Sequence, residues 1–294
     1  MVVGKFRRSE SFPVPKPAAK SSFRTRCISL PSRSHPIAAH LADDLHAVRS
    51  WPPAPSSSSA AVHWLSDGLA RLHLLLAGLS DVLQLPQAHD TLRCRRRSPA
   101  LADRFLDDFL RLADAHGSFR VAAIALKQHL AAAQVAIRRR DVQRLPPCLR
   151  ALRRAGKELA DLAAGAREIR RGPPTASAAG AVTDAEEAEV ARVMWEVAVA
   201  AADASRVVFL GVAQISMAAA SAAEAVTSRS AWAAAVLRWR ERARSKSSNK
   251  KALPEERLGA AEDGIASLES GCELVFKSLV NVRVTLLNAL TPAT

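Results

Sequence analysis

Tyrosine is absent from this chain of 294 residues, and with only 8 Phe and 5 Trp the aromatic content is 4%. Sheets draw heavily on aromatic and β-branched residues, so this poverty argues against a β or α/β body. Cysteine is scarce and scattered: Cys27, Cys94, Cys148 and Cys272 form no CxxC pair and no Cys/His cluster at zinc spacing. They read as reduced intracellular thiols. The first 36 residues hold no continuous apolar run, so a secretory leader is not expected there. No long hydrophobic run exists elsewhere. The longest uncharged stretch, Val207 to Ala223, has 17 residues and is interrupted by Gln214 and two serines. A membrane span needs roughly 20 strongly apolar residues, so this stretch is expected to be a buried helix, with membrane contact the less favoured reading. There is no P-loop, GxGxxG, HExxH or di-iron ExxH pattern, so neither a cofactor nor a metal nor a catalytic group is assigned.

What the chain does have is apolar periodicity, with 49% hydrophobic residues rich in Ala and Leu. Leu65, Leu69, Leu72, Leu76, Leu79 and Leu83 step by four and three, the spacing of one stripe on a helix that packs against other helices. A second stripe runs Phe105, Phe109, Leu112, His116, Phe119, Ala123, Leu126, Leu130, Ala133 and Ile137, with Gly117 as a candidate bend. The third, most regular one is Ile265, Leu268, Cys272, Val275, Leu279, Val282 and Leu286. A short helix after Pro36, another through Leu152, Leu159, Leu162 and Ile169, and a long one near 184–227 complete the pattern. Pro86 and the "LPPC" at 145–148 are expected to end helices. The fold class is therefore all-α, an elongated bundle of about six to seven helices over residues 37–290 behind a disordered basic tail at 1–36. An internal linker is expected at 172–181.

The formal charge of +14 suggests nucleic acid until it is located along the chain. Residues 1–40 hold eight Lys/Arg against Glu10, and 238–251 hold seven against Glu241, so these segments carry +7 and +6 and everything else only +1. Nucleic acid is accordingly disfavoured, and the helical body is expected to be nearly balanced. Arg238, Arg240, Arg242, Arg244 and Lys246, beside Trp239, form a candidate basic patch whose alternatives are a phosphate-binding surface and a merely solvated connection. In the tail, Ser29 has Arg24 and Arg26 before it and Pro31 after it. A basophilic kinase can read those arginines, and a phosphate there would add strong acceptors for a phosphoserine-binding adaptor.

Other titratable groups point less clearly to chemistry. His40, Asp43 and Asp44 lack a fourth ligand, and Asp103, Asp107 and Asp114 alternate with the apolar stripe and are expected to face water. His116 lies within the stripe and is expected to be a hydrogen-bonded core residue rather than a base.

Several segments resemble the plant BYPASS-like family: "SLPSRSHP" at 29–36, "FLDDFLRLADAHGSFRVAAIALKQHL" with Gly117, Arg120 and Lys127, and "LESGCELVFKSLVNVRVTLLNAL" with Glu273, Phe276, Lys277 and Arg283. That family often carries Cys where His116 stands and Asp where Val121 stands. The resemblance implies an all-helical plant protein, with relatives linked to root and shoot development and no established enzymatic activity or ligand. The expectation is a non-enzymatic interaction or scaffold protein with protein partners, regulated through Ser29 and intracellular, with the cytoplasm favoured and the nucleus and the chloroplast as alternatives. A carrier or enzyme of a small signalling molecule is the competitor, and substitution of Asp107, His116 and Arg120 would discriminate the two.

Overall fold

Proline opens most of the described helices in this chain. A proline in the first helical turn sacrifices an N–H that has no partner there anyway, and its fixed φ suits the helix. In the computed structural model, which describes residues 36–55, 58–94, 99–166, 185–225 and 254–291, four helices start on proline. They are α1 (Pro36–Arg49), α3 (Pro86–Cys94), α4 (Pro99–Arg138) and α7 (Pro254–Leu290). In α5 (Leu145–Gly165), Pro146 and Pro147 occupy the first turn. The two remaining helices are α2 (Ser58–Leu83) and α6 (Ala185–Glu224), and no strand occurs among the described residues.

Two expectations about proline are thereby corrected. Pro86 does not end α2, which stops at Leu83; it begins α3. "LPPC" is not a corner but the start of α5, and the corner lies before it. There Arg140 takes a left-handed φ of 54°. The Asp141 backbone N–H then bonds the Ala136 carbonyl at 2.9 Å, closing the end of α4. Asp141 Oδ1 accepts the N–H groups of Gln143 and Arg144 at 3.1 and 3.0 Å, which launches α5. α4 continues through Gly117 as one helix of 40 residues, about 60 Å at 1.5 Å per residue.

Every residue of the three sequence stripes is buried. The three stripes meet in one hydrophobic cluster to which all seven described helices contribute. α7 packs on α4 and α2, while α6 packs on α5, α2 and α4, and α1 covers α2. Directions follow from paired residues. Gly264 lies against Val62, Gly271 against Leu69, His73 bonds Ser278 and Ser80 bonds Thr285, so α2 and α7 run parallel. Gln134 meets Glu262 and Arg120 meets Glu273, so α4 and α7 are antiparallel.

Glycine is required where helix axes approach most closely. A Cβ on Gly264 would lie 2.5 Å from Val62 Cγ2. At Gly68 the obstacle would be the Trp51 ring, 2.1 Å away. That ring stacks on Trp64 with centroids 4.2 Å apart, and the Trp64 indole N–H donates to the Pro52 carbonyl at 2.8 Å. This clamp fastens the "WPPAP" strap to the bundle.

Candidate functional site

Ser29, Arg24, Arg26 and Pro31 lie outside the described residues, as do Arg238, Arg240, Arg242, Arg244, Lys246, the basic tail and the 172–181 linker. The remaining candidates can be placed. Asp103, Asp107 and Asp114 are exposed on α4. Asp108, which sequence reading passed over, is the buried member of that series, and desolvation raises its pKa against the pull of Arg104 and Arg111. Burial likewise raises the Asp44 carboxyl pKa. Among the described residues, no three His, Cys, Asp or Glu side chains are grouped to hold a metal ion.

His116 is fully buried, as its stripe position requires. Its Nε2 lies 2.8 Å from Ser205 Oγ, and that hydroxyl donates to the Ala201 carbonyl at 2.7 Å. With the hydroxyl proton spent on the carbonyl, Ser205 must accept from an Nε2–H, which fixes the tautomer and leaves Nδ1 as a buried lone pair without a partner. Phe119 and Phe209, stacked 4.6 Å apart, flank the ring, and burial pushes its pKa down to about 3. The pair is a neutral hydrogen bond inside the core. It lacks the geometry of an activated nucleophile, because the Ser205 hydroxyl gives its proton to the Ala201 carbonyl and not to His116, and both residues are buried. Arg120 faces α7 and Asp107 faces water, so these two do not converge with His116 on one site.

The residues that carry the family resemblance do come together, along the contact between α4 and α7. Arg120 Nη2 is 3.8 Å from Glu273 Oε2, Lys127 Nζ is 3.8 Å from Glu269 Oε2, and Gln134 Nε2 donates to Glu262 Oε2 at 3.0 Å. Positions 120, 127 and 134 recur every seven residues, the flanking polar ladder of a coiled-coil seam. Lys277 adds a second cation 2.8 Å from Glu273, and the two together hold its carboxyl pKa below the usual range. A matching polar seam joins α2 and α7: His73 Nδ1 to Ser278 Oγ at 2.7 Å, Ser80 Oγ to Thr285 Oγ1 at 3.1 Å, and Asn281 Nδ2 to Ser80 Oγ at 2.9 Å. Sequence reading missed this seam, although its signal was available as polar residues seven apart within apolar helices, at 73 and 80 and again at 278 and 285.

The Ile265 to Leu286 stripe is wholly consumed by the bundle, at 1% exposure or less. It therefore leaves no seam for a partner. A different apolar strip remains on the outward face of α7, where Val280, Val284 and Leu287 are 42%, 46% and 43% exposed at helical spacing of four and three. The two larger grooves among the described residues lie elsewhere on the bundle. One, of about 730 Å³ between α1, α2 and α6, has Leu41, Leu79, Val82 and Met194 in its wall and Arg49 and Arg192 at its rim. Both guanidiniums are engaged by carboxylates, Arg49 with Glu196 at 3.3 Å and Arg192 with Glu189 and Glu196. The other, of about 920 Å³, lies between α4 and α5 over small side chains such as Ala115, Ala122 and Gly165. By length and composition α6 could cross a membrane, yet Val208, Phe209, Val212 and Ala220 on it are fully buried among neighbouring helices.

Residues 68–289 match a family model described as Protein BPS1. No curated protein and no solved structure matches the chain.

Proposed function

The chain belongs to the BPS1 family, and from that premise we propose that it is a non-enzymatic helical interaction protein of plants, acting in root and shoot development by holding a partner helix along α7. The observation that carries this reading is the outward strip of Val280, Val284 and Leu287, apolar surface at helical spacing that the bundle itself does not use. Phosphorylation of Ser29, between Arg26 and Pro31, would add a regulated contact for a phosphoserine-binding adaptor. The test is affinity purification from root tissue of the wild-type chain and of a Val280→Asp/Val284→Asp/Leu287→Asp variant whose helicity is checked by circular dichroism. Loss of a reproducible partner set in the variant is expected; an unchanged set refutes the assignment to α7. Well-covered Ser29 peptides that are never phosphorylated would remove the regulatory part.

A carrier of a small signalling molecule is the second reading, and the groove of about 730 Å³ favours it through its apolar wall and its arginine rim. The substitutions that discriminate the two readings are consequently at Arg49 and Arg192, not at Asp107, His116 and Arg120. Arg49→Ala/Arg192→Ala should abolish retention of a ligand while leaving the α7 partner set intact.

A further inference from the structure

Outside the tail and the 238–251 segment the chain carries only +1, but the folded body is not evenly charged. Residues 138–158, which form the corner between α4 and α5 and the first turns of α5, contain eight Arg/Lys against Asp141 and Glu158. Near the start of α4 the balance reverses, with Asp103, Asp107, Asp108 and Asp114 against Arg104 and Arg111. Arg138, Arg139 and Arg140 close α4 and Arg144 precedes α5, all exposed. Arg150, Arg154 and Lys157 then follow at spacings of four and three along one exposed face of α5. Nearby carboxylates engage part of this set: Asp141 reaches Arg144 at 3.4 Å, Glu158 reaches Arg154 at 3.0 Å, and Glu224 pairs with Arg153. By formal charge the cations remain in clear excess, eight against Asp141, Glu158 and Glu224. Amid them stands Val142, 67% exposed between Arg140 and Arg144.

We propose that this corner is a docking surface for a membrane carrying anionic phospholipid headgroups. Clustered Arg and Lys side chains bind such a surface through its negative potential, and an apolar side chain at the apex can enter the boundary between headgroups and acyl chains. A polynucleotide has the same charge, but residues 138–158 contain no Phe, Trp, Tyr or His to stack on bases. Moreover, α5 lies along α6 and α4 and does not project as a helix free to enter a groove. The attachment is peripheral and distinct from any insertion of α6. It also stands apart from the α7 strip, so either can fail without the other.

The experiment is co-sedimentation of the full chain with phosphatidylcholine vesicles, with and without phosphatidylserine, beside a duplex RNA titration at the same salt. Selective binding to the anionic vesicles, weakening as salt rises, is expected. Each basic residue near such a surface is worth about fivefold in affinity, so Arg139→Ala/Arg150→Ala/Lys157→Ala should bind about a hundredfold more weakly. Val142→Asp should weaken vesicle binding and leave residual RNA binding unchanged. Equal binding to neutral vesicles overturns the proposal, as does RNA binding tighter than vesicle binding. So does an unaffected triple variant, especially if replacing Arg238, Arg240, Arg242 and Arg244 abolishes binding instead.

Discussion

Acid should loosen this bundle through one histidine. His116 is enclosed by Phe119, Phe209 and Ser205, and its folded-state pKa falls to about 3 from an ordinary 6.5. Between those values the unfolded chain binds a proton that the folded chain refuses, so stability rises with pH at about 1.4 kcal/mol per pH unit. The contribution is complete above 6.5 and is lost as the pH falls toward 3. From pH 8 to pH 5 the loss amounts to about 2 kcal/mol, a sizeable share of the 5–15 kcal/mol typical of a native protein. Asp44 and Asp108 act in the opposite sense, because a carboxyl whose folded pKa is raised takes up its proton more readily in the fold. A difference measurement removes their contribution. Urea unfolding at pH 8 and pH 5 would be followed for the wild type, for His116→Cys and for His116→Leu. Each variant should be less stable at pH 8 and should show a pH dependence smaller by about 2 kcal/mol. If the variants lose as much stability on acidification as the wild type, His116 is being protonated inside the fold and the account of a dry, neutral ring is wrong.

Removing the other half of that pair, Ser205→Ala, leaves both ring nitrogens of His116 without partners and should cost about 1–3 kcal/mol by chemical denaturation. Gly264→Ala and Gly165→Ala should have opposite signs. The first drives a Cβ to 2.5 Å from a methyl of Val62, whose β-branch cannot swing away within a helix, and Val62→Ala should rescue it. The second meets nothing within 4 Å and should stabilise by up to about 1 kcal/mol through helix propensity, read as a rise in Tm. Arg120→Ala should change stability by less than about 1 kcal/mol, because its 3.8 Å pair with Glu273 is roughly 40% exposed on both sides and screened by salt.

Much of the fold could be read along the chain. A stripe at spacings of four and three says which face of a helix must leave water, and each of the three stripes is buried as written, down to His116 within the second. The same periodicity says nothing about where an exposed face ends, so the unused strip of Val280, Val284 and Leu287 emerges only once the inward face of α7 is known. The prolines misled for a local reason. The residue breaks a helix from within yet fits its first turn, and composition alone does not say on which side of Pro86 or Pro146 the helix lies. Neither Ser29 nor the 238–251 patch falls among the described residues.

The sequence by itself determined that the chain is helical, which positions face inward, and that no familiar catalytic motif is present, because backbone propensity and apolar spacing are local properties. Tertiary structure alone decided three further things. Ser205 is the residue that meets His116, 89 positions away. The parallel seam of α2 and α7 depends on Gly264 and Gly271, where two helix axes come close. And the charges of separate helices find their partners only in the fold, Lys127 at Glu269 and Arg153 at Glu224, because the sequence counts the charges while the packing of helices assigns each one a place in space.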